Sequence, residues 1–223
     1  MEFKDLWCHP PVGKFINPDS SKFTYRKYFF ELKKFENSNN YLSTTKDDPE
    51  HQSKMQAFIK WVEINGVNHQ NLHYPTYFTT KEGFKYPGMS ALTKIQANQA
   101  YVSVPSKLML TTQYAYNSEL KPMFKSHPEV FTPEAAPAWE DYILISYIMW
   151  QMSLGKESFW YPLFAIWPDH TEVFYTWTTS ELNELQDKTT KKQSLAENDC
   201  LKTSWNDLFK ILRQYPKYFP QHM

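Results

Sequence analysis

Apolar and aromatic positions change their spacing along this chain, from helical near the start, to strand-like in the middle, to helical again toward the end. Tyr25, Tyr28, Phe29, Leu32 and Phe35 recur at helical intervals, with Lys27, Glu31, Lys33 and Lys34 between them. That spacing predicts a helix over 21–36 with one aromatic face. The polar stretch from Asn37 to Glu50 then reads as a linker. The aromatic face needs cover, either from the chain's own domain or from a partner that the segment would grip as an arm. Met55, Phe58, Ile59 and Val62 form a second stripe, and Asn65-Gly66 supplies a stop, so a helix is predicted from Pro49 to Asn65.

The middle of the chain is punctuated by Pro75, Gly83, Pro87, Gly88 and Pro105. Between these breaks the stretches 74–80, 89–92 and 100–104 are rich in aromatic or β-branched residues, which predicts strands in small antiparallel sheets. From Thr132 the pattern is helical again. Thr132-Pro133-Glu134 offers a capping residue followed by proline at a first helical position. The stretch from Trp139 to Met152 is apolar nearly all round, which predicts a buried helix stopped by Gly155. A short helix is predicted over 180–185. A last one begins near Ser204, where Ser204 and Asp207 resemble a capping box, with Trp205, Leu208, Phe209, Leu212 and Tyr215 on one face and Pro216 at the end.

At 223 residues, 41% hydrophobic and 17% aromatic, the chain can bury one substantial core or two smaller ones. Lys plus Arg and Asp plus Glu are each 24, so no excess positive charge advertises a nucleic-acid partner. The basic run from Lys188 to Lys192 reads as a solvated loop. Cys8 and Cys200 lie far apart and give neither a disulfide framework nor metal-ligand spacing. The first residues lack an apolar signal core, and no run is long and apolar enough to span a bilayer, so no membrane partner is expected. A reducing compartment, cytoplasm or nucleus, fits these observations.

Candidate chemistry is sparse. His69 and His73 stand four apart, a metal-ligand spacing on a helix, but Asn65-Gly66 before them and Pro75 after them argue for a loop, and no metal site is expected. Cys8-His9 has the residue types of a thiol dyad, yet adjacent side chains rarely aim at one another. Trp150, Phe159, Trp160, Tyr161, Phe164, Trp167, Phe174, Tyr175 and Trp177 could form a cage or stacking platform, or simply pack a core.

Glu82-Gly83-Phe84 differs because its neighbours form a series: Gly88-Met89-Ser90-Ala91, Val104-Pro105-Ser106-Lys107-Leu108-Met109, Asn117-Ser118-Glu119-Leu120 and Ser158-Phe159-Trp160-Tyr161-Pro162. Trp61 and Asn65-Gly66 precede it as Trp-x-x-x-Asn-Gly. That order resembles the SET-domain protein methyltransferases of the group containing the RuBisCO large-subunit methyltransferase and the actin-histidine methyltransferase. The resemblance implies an α+β fold: the N-terminal part of a SET domain, with small antiparallel sheets, followed by a mainly helical SET insertion. It divides the chain into an N-terminal extension at 1–54, a SET portion at 55–131 and a helical insertion region at 132–223. It implies S-adenosylmethionine as cofactor, bordered by Glu82, Gly83, Phe84 and Gly88. A glycine backbone there can approach the ligand closely while an aromatic residue covers the adenine.

There are departures from the pattern. Lys85-Tyr86-Pro87 intervenes between Phe84 and Gly88 and is expected to lengthen the cofactor loop, with Pro87 removing a donor. Ser90 replaces the family's arginine, and His51 stands about where a cofactor-associated arginine is found. The family's Asn-His motif and catalytic tyrosine come after the helical insertion, and only Gln221-His222-Met223 follow Pro220. No catalytic residue is therefore assigned, and the chain alone is expected not to turn over. Two readings stay open. One is a relative of protein-lysine or protein-histidine N-methyltransferases, acting on a protein substrate and completed by a complementary chain. The other is a pseudoenzyme, a non-catalytic interaction protein on a truncated SET scaffold.

Overall fold

The computed structural model describes residues 49–81, 83, 85–136, 138–168 and 177–220. The aromatic helix predicted over 21–36 and the Cys8-His9 pair lie outside them. The described residues fall into two compact units, one holding 49–110 and 156–167, the other 111–155, 168 and 177–220.

The first unit begins with α1, Pro49–Ile64. Met55 on its apolar stripe is buried, and Phe58, Ile59, Trp61 and Val62 are partly so. The helix stops where Gly66 adopts φ +91°, a conformation glycine takes at no steric cost. Two bonds close the end as a Schellman motif, Gly66 N–H to Glu63 O at 2.9 Å and Val67 N–H to Val62 O at 3.0 Å. The chain then forms an antiparallel hairpin of β1, Leu72–Thr79, and β2, Lys85–Ala91. Its register pairs Thr79 with Lys85, Phe78 with Tyr86, Tyr77 with Pro87 and Thr76 with Gly88, and an irregularity follows between His73 and Thr76. The strand predicted over 100–104 reduces to a single bridge, in which Asn68 and Ser103 exchange two 2.9 Å bonds. Pro105, which has no N–H to extend a ladder, and a 3-10 turn at Ser106–Leu108 end the pairing there.

The centre of this unit is aromatic. Trp160 is 0% exposed. Its ring meets Trp61 of α1 at 5.8 Å and Phe159 at 5.2 Å, both close to edge-on. Phe58 continues the cluster to Tyr74 of β1 at 6.5 Å. Trp160 is fixed from its own side by Ser158, whose Oγ accepts the Trp160 N–H at 3.1 Å, and the short α6, Tyr161–Phe164, follows with Pro162 in its first turn.

The second unit is helical: α2 (Thr112–Tyr116), α3 (Lys121–Ser126), α4 (Pro128–Phe131), α5 (Trp139–Ser153), α7 (Thr179–Glu184) and α8 (Lys188–Leu212). α5 packs on α2 and α4, burying Ile143, Ser146, Tyr147 and Gln151. The other side of α5 exposes Ile145 and Met152, so this helix has a solvent face despite its apolar composition. Thr132 does not cap a helix. It follows α4, and its hydroxyl donates back to Pro128 O at 2.9 Å. The short helix near 180 does form, with a complete capping box between Thr178 and Glu181.

The largest correction concerns α8, whose 25 residues begin at Lys188, capped by Asp187, rather than near Ser204. The Asp187 carboxylate accepts the N–H groups of Thr189 at 2.8 Å and Thr190 at 3.3 Å, two of the donors a helix start leaves open. Lys188 to Lys192 are accordingly on the first turns of a helix and not in a loop. Asp207 sits mid-helix and bonds Lys210 at 2.8 Å instead of a capping N–H. Of the predicted face, Leu208, Phe209 and Leu212 are buried and Trp205 and Tyr215 partly so, and Ile211 is buried with them. The segment after α8 is tied back by the Tyr215 hydroxyl, 3.1 Å from His127 Nε2, and by Tyr218 against Trp150 at 5.6 Å. Cys200 is disulfide-bonded, which corrects the expectation of no disulfide. Among the described residues no helix is long and apolar enough to cross a membrane.

Two outcomes follow from this packing. Trp160→Ala removes the hub of the first unit and is expected to cost about 3–5 kcal/mol in urea unfolding, with Trp160→Phe losing less. The Asp187 pKa is lowered from its ordinary value of 3.8 by the Thr190 hydroxyl and by the N–H groups of Thr189 and Thr190. A carboxylate depressed in the folded state stabilises above its ordinary range and loses that contribution as pH falls through the folded value. Asp187→Asn, which caps without titrating, should therefore show a shallower fall of helical signal on acidification, followed by circular dichroism.

Candidate functional site

The site suggested by Glu82, Gly83, Phe84 and Gly88 falls on the turn and second strand of the hairpin. Glu82 and Phe84 lie outside the described residues. Gly83 is exposed, adopts φ +89° and donates its N–H to Thr80 O at 3.0 Å, closing the turn. A Cβ built on Gly83 would meet nothing within 4 Å, so the backbone here is open to close approach from outside. Gly88 is different. A Cβ there would lie 2.9 Å from Cε2 of Phe78, because the Phe78 ring rests on the glycine from the neighbouring strand. That ring also stacks on Tyr86 at 5.7 Å.

Lys85-Tyr86-Pro87, expected to lengthen a loop, is instead the first part of β2, registered against Thr79, Phe78 and Tyr77. Tyr86 and Phe78 make a cross-strand aromatic pair, and strand pairing of that kind is what the sequence break obscured. Ser90 is occupied within the hairpin: its Oγ lies 2.7 Å from Thr76 Oγ1, which lies 2.9 Å from His73 Nδ1 and donates to His73 O at 3.1 Å. These three side chains latch the two strands across the irregularity between His73 and Thr76. Sequence reasoning missed this latch because its members are spaced irregularly and belong to no motif.

His51 lies in the first turn of α1, and its Nε2 is buried without a hydrogen-bond partner. His69 and His73 do not share a purpose: His69 Nε2 faces Glu63 at 3.5 Å, while His73 serves the latch. Among the described residues no cluster of three His, Cys, Asp or Glu could hold a metal ion. Tyr74 on β1 is partly buried. Its pKa is raised, first by burial and then by the neighbouring Tyr77. The aromatic-rich stretch is divided between the two units, with Trp160 and Phe159 in one and Trp150 in the other. Where described, these rings pack against their own units, Trp160 on Trp61 and Trp150 on Tyr147 and Tyr218.

The contact of Phe78 on Gly88 is testable by a cycle. Gly88→Ala should displace the exposed Phe78 ring at a cost of roughly 1–2 kcal/mol. In a Phe78→Leu background the same change should cost little, because the atom in the way has gone. Equal losses in both backgrounds, read by thermal unfolding, would refute the contact.

No protein-family model matches the chain, and no curated protein matches it. Solved structures do, among them the following three. "Structure of Rubisco LSMT bound to Sinefungin and Monomethyllysine" aligns with a TM-score of 0.59 at 22% identity, over 75% of this chain and 36% of that one. The Rubisco LSMT SET domain bound to lysine and AdoHcy gives 0.58 at 22% identity, over 78% and 36%. The same SET domain bound to MeLysine and AdoHcy gives 0.57 at 23% identity, again over 78% and 36%. The chain thus spans about a third of the length of these neighbours. At this level of identity the likeness establishes the fold, and this chain, α+β with a small antiparallel hairpin among helices, has the fold seen in the SET-domain methyltransferase Rubisco LSMT.

Proposed function

We propose that this protein is a SET-type relative of the S-adenosylmethionine-dependent protein N-methyltransferases and that its hairpin turn borders that cofactor. The observation that carries the reading is the turn itself: a glycine at φ +89°, with open space where a side chain would stand, inside a fold shared with structures that hold AdoHcy or sinefungin. Glu82, Gly83, Phe84 and Gly88 are the bordering residues. Gly83 offers the close backbone approach, while the Phe78 ring stands over Gly88 and would form part of the wall. The bound cofactor would supply an activated methyl group, and lysine of a protein is the acceptor class favoured by the lysine and methyllysine held in the neighbours. A complementary polypeptide is the partner we assign to transfer itself.

A specific observation favours a second reading, a non-catalytic interaction protein on this scaffold. Large apolar side chains are exposed on both units, Phe78, Tyr86, Met89 and Leu92 in one, Ile145, Met152, Leu195 and Leu201 in the other. Calorimetric titration of the folded chain with S-adenosylmethionine and S-adenosylhomocysteine tests the first reading. Saturable micromolar binding is expected, weakened about tenfold or more by Gly83→Ala, with melting followed in parallel because a side chain is strained at that φ. A folded chain that takes up neither compound would sink the cofactor assignment.

A further inference from the structure

We propose that the β1–β2 hairpin is a docking edge for an extended acidic peptide carrying apolar side chains. The proposal rests on the interaction-protein reading and names the chemistry of its partner. Among the described residues the sheet has two strands, so each strand has one neighbour and one open edge. A lone hairpin is marginal in water, and a third strand would complete its hydrogen bonding.

The two edges are not equivalent. Pro87 has no N–H to offer, which makes the outer edge of β2 a poor template. Its place opposite Tyr77 fits the pair that exchanges no hydrogen bonds, and that register turns the N–H and C=O of Tyr77 and Thr79 outward from β1. From Thr76 to Thr79 the β1 edge contains no proline. A row of alternating donors and acceptors at strand spacing matches a polypeptide backbone and not a nucleic acid, which has no matching main chain.

The surface beside that edge is apolar and basic. Phe78 is 37% exposed and Tyr86 47%. Phe78 and Tyr86 form a stacked pair to which an added strand could contribute a third rung. From Gly66 to Leu110 the chain carries Lys81, Lys85, Lys94 and Lys107 against one acidic residue, Glu82. Lys81 lies at the turn and Lys94 just beyond β2, both exposed, so lysines stand beyond both ends of the hairpin, whose length is about 25 Å. Carboxylates at the two ends of an apolar peptide complement this arrangement, and a basic peptide would be repelled by it.

The experiment uses the full chain and a fluorescent nonapeptide in which aspartates flank an alternating valine, threonine and tyrosine core. The same core flanked by lysines, and an oligouridylate, are the comparison probes. Expected are saturable binding of the acidic peptide, weakening as salt rises from about 0.05 to 0.5 M, and slowed amide exchange at Tyr77 and Thr79. The surface variant Lys81→Glu/Lys94→Glu should lose roughly tenfold in affinity with unchanged circular dichroism. Equal or tighter binding of the lysine-flanked peptide would overturn the acidic partner while leaving an interaction surface. Binding of the oligouridylate alone, or peptide binding without protection at Tyr77 and Thr79, would overturn the docking mode. Failure of every probe on a folded chain would remove this hairpin from the interaction reading as well.

Discussion

The unit that carries the hairpin depends on the burial of Trp160. Its indole fills the space between α1 and the segment that precedes α6, with Trp61 on one side and Phe159 on the other. Burying rings of this size supplies the largest hydrophobic gain available to a small unit. It also closes the longest loop in the unit, because Trp61 and Trp160 are about a hundred residues apart in sequence. Such closure costs entropy that only a strong contact can offset. The Trp61 Nε1–H is buried without a partner, a penalty of about 1–3 kcal/mol that the ring contacts must exceed. Everything downstream of α1 in that unit inherits its placement: Phe58 holds Tyr74, Tyr74 lies on β1, and β1 carries β2.

The motifs that made the fold legible turn out to be architectural. Trp61 and Asn65-Gly66 are the ring contact and the Schellman stop of α1, and Asn65 Nδ2 further donates to Trp61 O at 2.9 Å. Val104-Pro105-Ser106-Lys107-Leu108-Met109 is the 3-10 turn whose proline lies at 3.6 Å from a Cβ built on Gly66. In Asn117-Ser118-Glu119-Leu120 the Ser118 Oγ accepts the Leu120 N–H at 3.2 Å, and Leu120 is fully buried. Ser158-Phe159-Trp160-Tyr161-Pro162 is the hub with its own turn. Turns, caps and aromatic hubs need particular residues at fixed offsets, so their signal survives in sequence where the chemistry of a site need not.

What was not legible depended on competition between partners. Asp187 and Ser204 are both plausible helix starts by residue type. The structure selects Asp187 because a carboxylate followed by two threonines satisfies the first N–H groups, and no proline or glycine then interrupts the helix before Leu212. Ser204 is left in the interior. Thr132 has the composition of a cap, but the carbonyl of Pro128 claims its hydroxyl. By sequence the second strand starts only at Met89, because Pro87 and Gly88 break the pattern before it. In the hairpin the proline sits where its missing N–H is tolerated, and the glycine sits where a neighbouring ring covers it.

That last pair bears on function. Gly83 and Gly88 belong to one motif by sequence, yet the structure gives them opposite surroundings. One has φ +89° and empty space beside it; the other has an ordinary backbone and a phenyl ring against it. A glycine kept for backbone freedom and access must look like the first, and a glycine kept for packing must look like the second. Ser90, likewise, spends its hydroxyl on Thr76 inside the latch. The parts of the hairpin that the two readings use are the turn at Gly83, the β1 edge at Tyr77 and Thr79, and the exposed Phe78–Tyr86 stack. A small ligand at the turn and a strand at the edge would share the Phe78 ring, so Gly83 on one side and the lysines at Lys81 and Lys94 on the other are the positions that tell the two apart.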